Sequence, residues 1–222
     1  MFFTASLSLI ALAALWISRD YAAWIAFGTG GTPANWSGYL KITKFRLLRI
    51  WAGDDLRDPS MLSSQGPSYL GDLPKRNDRP RIMSRTLPQR QYPEPLDQTT
   101  TDYLHSLPKK YATGNLYLDK SITEGRTTDA LYVKPEYHIG HKDSTLGDEI
   151  AHVHPAENSL HVWLTEADAK KVVSAGWGER FPLASLKMVD VGWTFVYAPR
   201  SMEEALVIEE IIKAGIGHLA GK

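Results

Sequence analysis

The chain has 222 residues, of which 43% are apolar and 23% charged, and its basic and acidic side chains are equal in number. This composition is that of a globular protein with a proper core, and it excludes a chain that is disordered throughout. Cysteine does not occur in the sequence, which excludes disulfides, thiolate nucleophiles, sulfur-ligated zinc and iron–sulfur clusters.

The N-terminal stretch is apolar and carries no charged side chain from Met1 to Ser18. A helix of this length, at about 1.5 Å per residue, covers roughly 27 Å, close to the thickness of a bilayer's hydrocarbon core. We predict an uncleaved membrane anchor here. A cleaved signal peptide is the alternative, because Ala11-Leu12-Ala13 resembles a processing site, although the usual preceding basic residues are missing. A buried core helix is the third interpretation.

Basic residues follow the anchor, with 12 basic and 6 acidic residues between Arg19 and Arg90. The positive-inside bias then predicts a single-pass protein whose C-terminal domain faces the cytosol, which we assign to the endoplasmic reticulum. The stretch from Tyr39 to Trp51, YLKITKFRLLRIW, is predicted to rest on the anionic membrane surface.

Residues 54–101 are rich in Pro, Gly, Ser, Asp and Arg and show no long periodicity. Interspersed aromatic and apolar residues, such as Tyr69, Leu70 and Ile82, favour an arm wrapped over the domain rather than a free linker. The chain therefore divides into an anchor over residues 1–18, a basic juxtamembrane segment and wrapped arm over 19–100, and a folded domain over 101–222.

The folded domain shows short helices and strands in alternation. We predict a helix broken at Pro108, short strands in NLYLDKSITEG and DALYVKPEY, a strand from Trp193 to Ala198, and two capped helices. The capped helices run over Glu166–Ser174 and over Met202–Ala214, where Gly215 is expected to end the second. This order predicts an α+β fold, an antiparallel sheet with helices packed on one face, preceded by the transmembrane helix.

A hairpin with three histidines, EIAHVHPAENSLHVWL, runs from Glu149 to Leu164. A four-residue loop over 155–158 pairs His152 with His161 and collects the apolar residues on one face, whereas a longer loop mixes the two faces. All three imidazoles, those of His152, His154 and His161, then share the other face. The same register places Trp163 beside them and Glu149 on the opposite side.

Three interpretations of this cluster stay open at the level of the residues. Neutral imidazoles can deprotonate an acidic carbon or enol and stabilise the anion. Opposed strands can also aim three nitrogens at one metal ion. The third interpretation is a solvent-facing strand surface beside a core face.

A second group of residues predicts a pocket for a flat aromatic ligand. Two Gly-Trp turns and an aromatic strand lie near two arginines that can pair with an enolate or phenolate oxygen. The predicted substrate-binding residues are Trp163, Trp177, Arg180, Trp193, Tyr197 and Arg200. Core packing is the alternative for the aromatic residues. The sequence contains no Gly-rich phosphate loop, nucleophile elbow or basic recognition helix, so we expect no nucleic acid partner.

Three stretches, EIAHVHPAENSLHVWL, KKVVSAGWGERFPLA and WTFVYAPRSMEEALVIEEIIKAGIGHLAG, resemble the blocks of the fungal luciferase family, enzymes that oxidise 3-hydroxyhispidin with molecular oxygen. The upstream stretches RDYAAWIAFG, SGYL and LGDLPKRNDRPRI also have counterparts there. The resemblance covers most of the chain and is weakest between Gln91 and Gly147.

The resemblance implies a membrane-associated enzyme that uses oxygen without flavin, haem or added metal. A His-bound metal, which the three imidazoles by themselves allow, is the alternative. His152, His154 and His161 match the family's histidines, and one of them is the candidate base. The expected substrate is a small aromatic or polyketide-type molecule such as a hydroxypyrone.

Two departures from the luminous members bear on light emission. Those members carry His at the position of Phe181 and a further His in the hairpin loop. We therefore predict a luciferase-like oxidative enzyme rather than a luciferase proper. Two other classes stay open, namely a non-oxidative tailoring enzyme (cyclase, isomerase or dehydratase) of secondary metabolism and a membrane-tethered binding protein.

Overall fold

An antiparallel sheet of six strands forms the centre of the part of the chain that the structure describes. The computed structural model describes residues 2–143 and 145–221, with side chains from residue 8 onward. The strands lie in the order β1-β2-β3-β4-β6-β5. Their bounds are β1 Leu116–Lys120, β2 Asp129–Val133, β3 Glu149–Val153, β4 Leu160–Trp163, β5 Gly178–Arg180 and β6 Trp193–Val196. The predicted α+β class with an antiparallel sheet is confirmed.

Six helices accompany the sheet within the described residues. They are α1 Phe2–Phe27, α2 Trp36–Ala52, α3 Gln98–Tyr111, α4 Glu166–Ser174, α5 Pro182–Ser185 and α6 Met202–Ala220. Helices α3, α4 and α6 contact the strands of the sheet and share one hydrophobic core with them. Their starts are fixed by side-chain caps, since Asp97, Thr165 and Ser201 each accept a hydrogen bond from a backbone N–H of the first turn.

The register of the histidine hairpin is confirmed. His152 pairs with His161, and the pairs Ala151 with Val162 and Val153 with Leu160 flank it. The apolar alternation determined this register because a slip by one residue would expose the buried set.

The predicted side of Glu149 is wrong, and the reason is a β-bulge. Tyr132 of β2 pairs with Glu149 rather than with Ile150, so that the pairing shifts by one residue at this point. A bulge of this kind inverts the alternation of side chains beyond it. Glu149 consequently lies on the face of the histidines, and Ile150 packs toward α6 beside Gly215.

Two predicted helix ends are also wrong. Helix α3 continues through Pro108, which lies in its last turn, where the missing N–H costs a single intrahelical hydrogen bond. Helix α6 continues past Gly215 and ends at Gly221, whose φ of 67° suits a left-handed cap. A Cβ on Gly215 would lie 2.9 Å from Val162 and 3.0 Å from the carbonyl oxygen of Trp163, so this glycine permits close packing on the sheet instead.

The segment that follows α2 runs along the folded domain. Asp168 at the start of α4 accepts hydrogen bonds from the backbone N–H groups of Tyr69 and Leu70. Further along, the Gln91 side chain accepts a hydrogen bond from the backbone N–H of Ala198. The residues between these two anchors cross the face of the sheet that carries the histidines, where Arg90 contacts His154.

Helix α1 is longer than the predicted anchor and continues past Arg19 to Phe27. Residues Ser8–Phe27 form the one stretch, among the described residues, that is long and apolar enough to cross a membrane, and nearly all of it is exposed. A signal sequence can be equally long and apolar. Asp20 fixes the end of this helix to the rest of the chain, because it accepts a hydrogen bond from the Tyr39 hydroxyl and pairs with Arg85.

Candidate functional site

The three hairpin histidines form one buried cluster. His152 and His154 lie on or next to β3 and His161 lies opposite on β4, and all three are at most 4% exposed. Their ring centroids are 5.0 to 5.3 Å apart. Because two adjacent strands present them to the same side, the sheet itself determines their spacing.

His152 is held by a buried carboxylate. Its Nδ1 donates a hydrogen bond to Glu149, a residue that is fully buried. Glu149 also accepts hydrogen bonds from the hydroxyls of Ser121 and Tyr132, and the Tyr132 bond is 2.8 Å long. The carboxylate therefore receives a full set of donors, and it fixes the orientation of His152 and keeps its Nδ1 protonated.

His154 is held from both ends of its ring. Nδ1 lies 3.0 Å from Glu157 and 2.8 Å from the Ser159 hydroxyl. Nε2 lies 3.0 Å from Nη1 of Arg90, which can only donate, so Nε2 is an acceptor and the proton is on Nδ1. Nε2 of His152 lies 3.2 Å from Nε2 of His154. Because Nε2 of His154 is an acceptor, His152 donates this hydrogen bond.

Arg90 and Glu124 complete the cluster, and neither residue was predicted from the sequence. Glu124 is paired with Arg90 and lies 3.5 Å from Nε2 of His152 and 3.6 Å from Nε2 of His154. Arg90 also lies 3.5 Å from Glu157. Neither residue belongs to a motif, because one comes from the aperiodic arm and the other from the loop between β1 and β2.

The charges of the cluster are distributed unevenly. Burial by itself would lower the pKa of His152, but Glu149 and Glu124 outweigh it and raise the pKa to about 9. Burial lowers the pKa of His154 and of His161 well below the usual histidine value, and the positive charge of Arg90 adds to this effect. Near neutral pH, His152 is therefore an imidazolium while His154 and His161 are neutral.

The pKa values of the two acidic neighbours, Glu124 and Glu157, are shifted in opposite directions. Burial would raise the pKa of Glu124, but contact with His152 and the nearby positive charge of Arg90 hold it far below the usual glutamate range. Burial raises the pKa of Glu157 to about 7, although its bonds to Ser159 oppose the increase. Glu124 thus remains ionised, and Glu157 changes its protonation near neutral pH.

His161 is the histidine of this cluster that borders a cavity. The cavity measures about 230 Å³, and its walls include Glu124, Phe45 of α2 and Phe181 together with His161. The His161 ring packs edge to face on Phe181 at 4.7 Å between centroids. Its Nδ1 is buried without a hydrogen-bond partner among the described residues. A neutral imidazole whose residue borders a cavity is placed to exchange a proton with a ligand.

The donor set of the cluster fits a divalent metal in part. The three histidines offer ligand nitrogens within 4.8 Å of one another, and Glu124 adds an oxygen. Hydrogen bonds from Nδ1 to carboxylates, as in His152 and His154, are typical of the surroundings of metal-binding histidines. However, Arg90 donates to the Nε2 lone pair of His154 that a metal would require. A metal could bind there only after the guanidinium had moved.

The structure does not bring the six predicted substrate-binding residues to this cavity. Trp163 and Trp193 stack on each other at 5.6 Å, and Trp163 also contacts His138 and His218. Trp177 and Arg200 border a separate surface cleft. Arg180 pairs with Asp54, and the Tyr197 hydroxyl bonds to Glu179. None of the six borders the cavity beside His161, and their role in substrate binding stays a prediction.

Replacing Glu149 by Gln is expected to lower the pKa of His152 from about 9 toward its ordinary 6.5, because the nearest negative charge is removed. In the unchanged protein the raised pKa of His152 stabilises the fold fully below pH 6.5 and loses this effect as the pH rises through about 9. Histidine side-chain NMR measures the pKa, and denaturant unfolding at several pH values measures the linked free energy.

Tyr132→Phe is the matched control for this substitution. It removes a hydrogen bond to Glu149 but keeps the carboxylate, so the pKa of His152 should stay well above 6.5. An unchanged pKa in Glu149→Gln would show that this carboxylate does not hold the charge of His152.

Comparisons with known proteins concern most of the chain. Residues 147–215, which hold the hairpin, Phe181 and most of α6, match the model of the luciferase domain. A luciferase of Armillaria ostoyae is 31% identical over 94% of this chain and 84% of its own length. Luciferases of Neonothopanus nambi and Armillaria gallica are 32% and 30% identical over 91% and 92% of this chain, and over 81% and 82% of their own lengths. No solved structure matches the chain at a significant level.

Proposed function

The chain belongs to the fungal luciferase family, and from this premise we propose that it is an enzyme that oxidises a small aromatic or polyketide-type substrate with molecular oxygen. The substrate class is a hydroxypyrone or a molecule of similar acidity. The observation that carries the proposal is His161, a buried neutral imidazole that borders a cavity with Phe45, Phe181 and Leu183 in its walls.

The cavity suits a small and mostly flat ligand. Ligand pockets commonly measure roughly 300–1,000 Å³, and this one is smaller, at about 230 Å³. Its walls carry Phe45, Phe181 and Leu183, which can cover the faces of a ring. Ring contact with apolar walls also removes water from the reacting atoms, which strengthens the electrostatic effects of the cluster.

The first proposed step is removal of the substrate's acidic proton by His161. The O–H bond of the enol breaks, the proton goes to the imidazole, and the electron pair stays on the substrate as an enolate. The imidazolium of His152 lies behind His161, with ring centroids 5.3 Å apart, and its positive charge favours an anion nearby.

The second proposed step is reaction of the enolate with oxygen. The electron-rich enolate gives one electron to O₂, and the radical pair combines to form a carbon–oxygen bond and a peroxide anion. The proton on His161 can return to that anion. In this scheme the substrate is the reductant, and we propose that the enzyme uses no bound cofactor. The Arg90 guanidinium on His154 supports this proposal over the metal alternative.

We also propose that α1 anchors the protein in the membrane of the endoplasmic reticulum, with the sheet on the cytosolic side. The helix is long and apolar enough, and its side chains are nearly all exposed. Helix α2 follows it with four basic residues and no acidic residue, as expected on a cytosolic side.

The two departures from the luminous pattern both lie at the site. Phe181 borders the cavity and contacts His161. The hairpin loop holds Glu157, which bonds to Nδ1 of His154. Since both positions touch the cluster, we propose an oxidative enzyme of luciferase type without assigning light emission to it.

Incubation of the full chain in detergent with 3-hydroxyhispidin and related hydroxypyrones under ¹⁸O₂ tests the proposal. We expect oxygen uptake and incorporation of label into the product, which mass spectrometry measures. Turnover that continues unchanged without oxygen would instead establish a non-oxidative tailoring enzyme. Binding without any turnover would establish a binding protein.

A further inference from the structure

We propose that the cavity beside His161 opens onto the membrane surface, so that the substrate enters from the lipid phase as an uncharged, planar aromatic molecule. This inference rests on the proposed anchor and on the proposed role of the cavity. It adds a route for the substrate into the cavity.

The first observation is the origin of the cavity walls. Thr29 to Thr32 belong to the loop that directly follows α1, and Lys41 and Phe45 belong to α2. The polypeptide that would leave the membrane thus forms one side of the cavity. His161 forms part of the opposite side, on the sheet.

The second observation is a largely exposed apolar stripe on α2. Its residues are Trp36, Leu40, Leu47 and Trp51, which are 50%, 64%, 62% and 87% exposed. Their spacing places them on one side of the helix, away from the buried Ile42 and Phe45. Exposed Leu and Trp residues in a row are unfavourable in water and are typical of helices that lie in a membrane interface.

The third observation is the charge beside this stripe. Lys41 and Lys44 are exposed and form no ion pair with the described residues, and α2 has no acidic residue. Lysines that flank an apolar stripe favour an anionic lipid surface, each contributing about 1 kcal/mol. Lys41, one turn before Phe45, also borders the cavity.

The fourth observation is that polar and aromatic contacts join α2 to α1 close to where the uncharged stretch of α1 ends. Tyr39 and Arg46 of α2 both reach Asp20, the residue after Arg19. Tyr21 stacks on Trp36 at 4.1 Å, and Trp24 lies fully buried beside them. Such an aromatic group is typical of the interfacial layer of a membrane.

The last observation concerns the opposite edge of the cavity. The loop between β1 and β2 is joined to the α1–α2 loop by a 2.7 Å hydrogen bond from the Gly31 N–H to the Thr123 carbonyl. A Cβ on Gly31 would lie 2.6 Å from the Ile122 carbonyl oxygen, so the close approach requires glycine. Ile122 borders the cavity while its side chain is 57% exposed, as expected for an apolar side chain that faces lipid.

Single-cysteine labelling tests this geometry, because the chain contains no cysteine of its own. The full-chain variants Leu12→Cys, Leu47→Cys, Ile122→Cys and Leu206→Cys are labelled with an environment-sensitive nitrobenzoxadiazole dye. They are reconstituted in vesicles of phosphatidylcholine and phosphatidylserine. Spin-labelled lipid quenches dyes in the membrane, and iodide quenches dyes in water.

We expect spin-labelled lipid to quench the dyes at positions 12, 47 and 122. Iodide should not quench the dyes at these positions. Leu206 on α6 is 48% exposed and serves as the matched water-facing control, quenched by iodide alone. Quenching at position 12 alone would overturn the membrane-facing entrance while leaving the anchor. No lipid quenching at position 12 would overturn the anchor and with it this inference. Protection at position 47 from both quenchers would overturn the lipid-facing stripe, because protein would then cover α2.

These outcomes do not depend on turnover. Failure of the oxidation experiment with lipid quenching at position 122 would refute the proposed reaction but not the entrance. Successful oxidation without lipid quenching at position 122 would refute the membrane-facing entrance but not the proposed reaction.

Discussion

Replacing His161 by Ala is expected to reduce turnover by roughly 10²- to 10⁴-fold, the usual contribution of a general base. His161 is the cluster histidine that borders the cavity, and its Nδ1 has no partner among the described residues. Loss of the imidazole therefore removes the proton acceptor while the charges of His152 and Glu124 stay in place. Oxygen uptake with a hydroxypyrone measures the effect.

Two further measurements separate a catalytic from a structural role of His161. Imidazole added to His161→Ala should restore part of the rate, because the vacated volume adjoins the cavity. His141→Ala, at an exposed histidine, should leave the rate unchanged. If His161→Ala keeps the full rate, or if imidazole has no effect on a variant of normal melting temperature, another residue is the base.

Replacing Arg90 by Met is expected to reduce turnover by about 10²- to 10³-fold, comparable to the removal of one preorganised electrostatic donor. Arg90 contacts Glu124, Glu157 and His154 at once. Without the Arg90 guanidinium, the negative charge of Glu124 is poorly compensated. The proton affinity of the neighbouring histidines therefore increases. The same loss can destabilise the fold by about 3–5 kcal/mol, as expected for breaking a buried ion pair.

Arg90→Lys and the double variant Arg90→Met with Glu124→Gln serve as controls. The lysine retains the charge but cannot contact three partners with a planar fork, so we expect partial activity. The double variant should regain stability without regaining turnover, because the uncompensated carboxylate has been removed. Full activity in Arg90→Met would exclude this arginine from the mechanism.

The same variant tests the metal alternative. With the guanidinium gone, the three imidazoles and Glu124 can bind a divalent ion, and cobalt absorption spectra should report a site in Arg90→Met but not in the unchanged protein. A stoichiometric metal in the unchanged protein, measured by elemental analysis, would contradict the proposed role of Arg90 and favour a metal centre.

The local pattern of the hairpin was enough to predict that three histidines share a face. Alternating apolar residues permit one register of β3 and β4, and the pairing of His152 with His161 follows from it. The antiparallel sheet, the caps of α4 and α6, and the apolar N-terminal helix were likewise readable from periodicity and capping residues. These features depend on neighbours that are close in the sequence.

Only the tertiary structure decided what surrounds the histidines. The bulge at Ile150 turns Glu149 toward His152, although the alternation predicts the opposite side. Arg90 reaches His154 across 64 positions of the chain, from an arm without periodicity. Periodicity reports which side of a strand a residue occupies, but it carries no information about irregular segments that fold over that side. The charge of each imidazole, and the choice of His161 as the one that borders a cavity, depend on those long-range contacts.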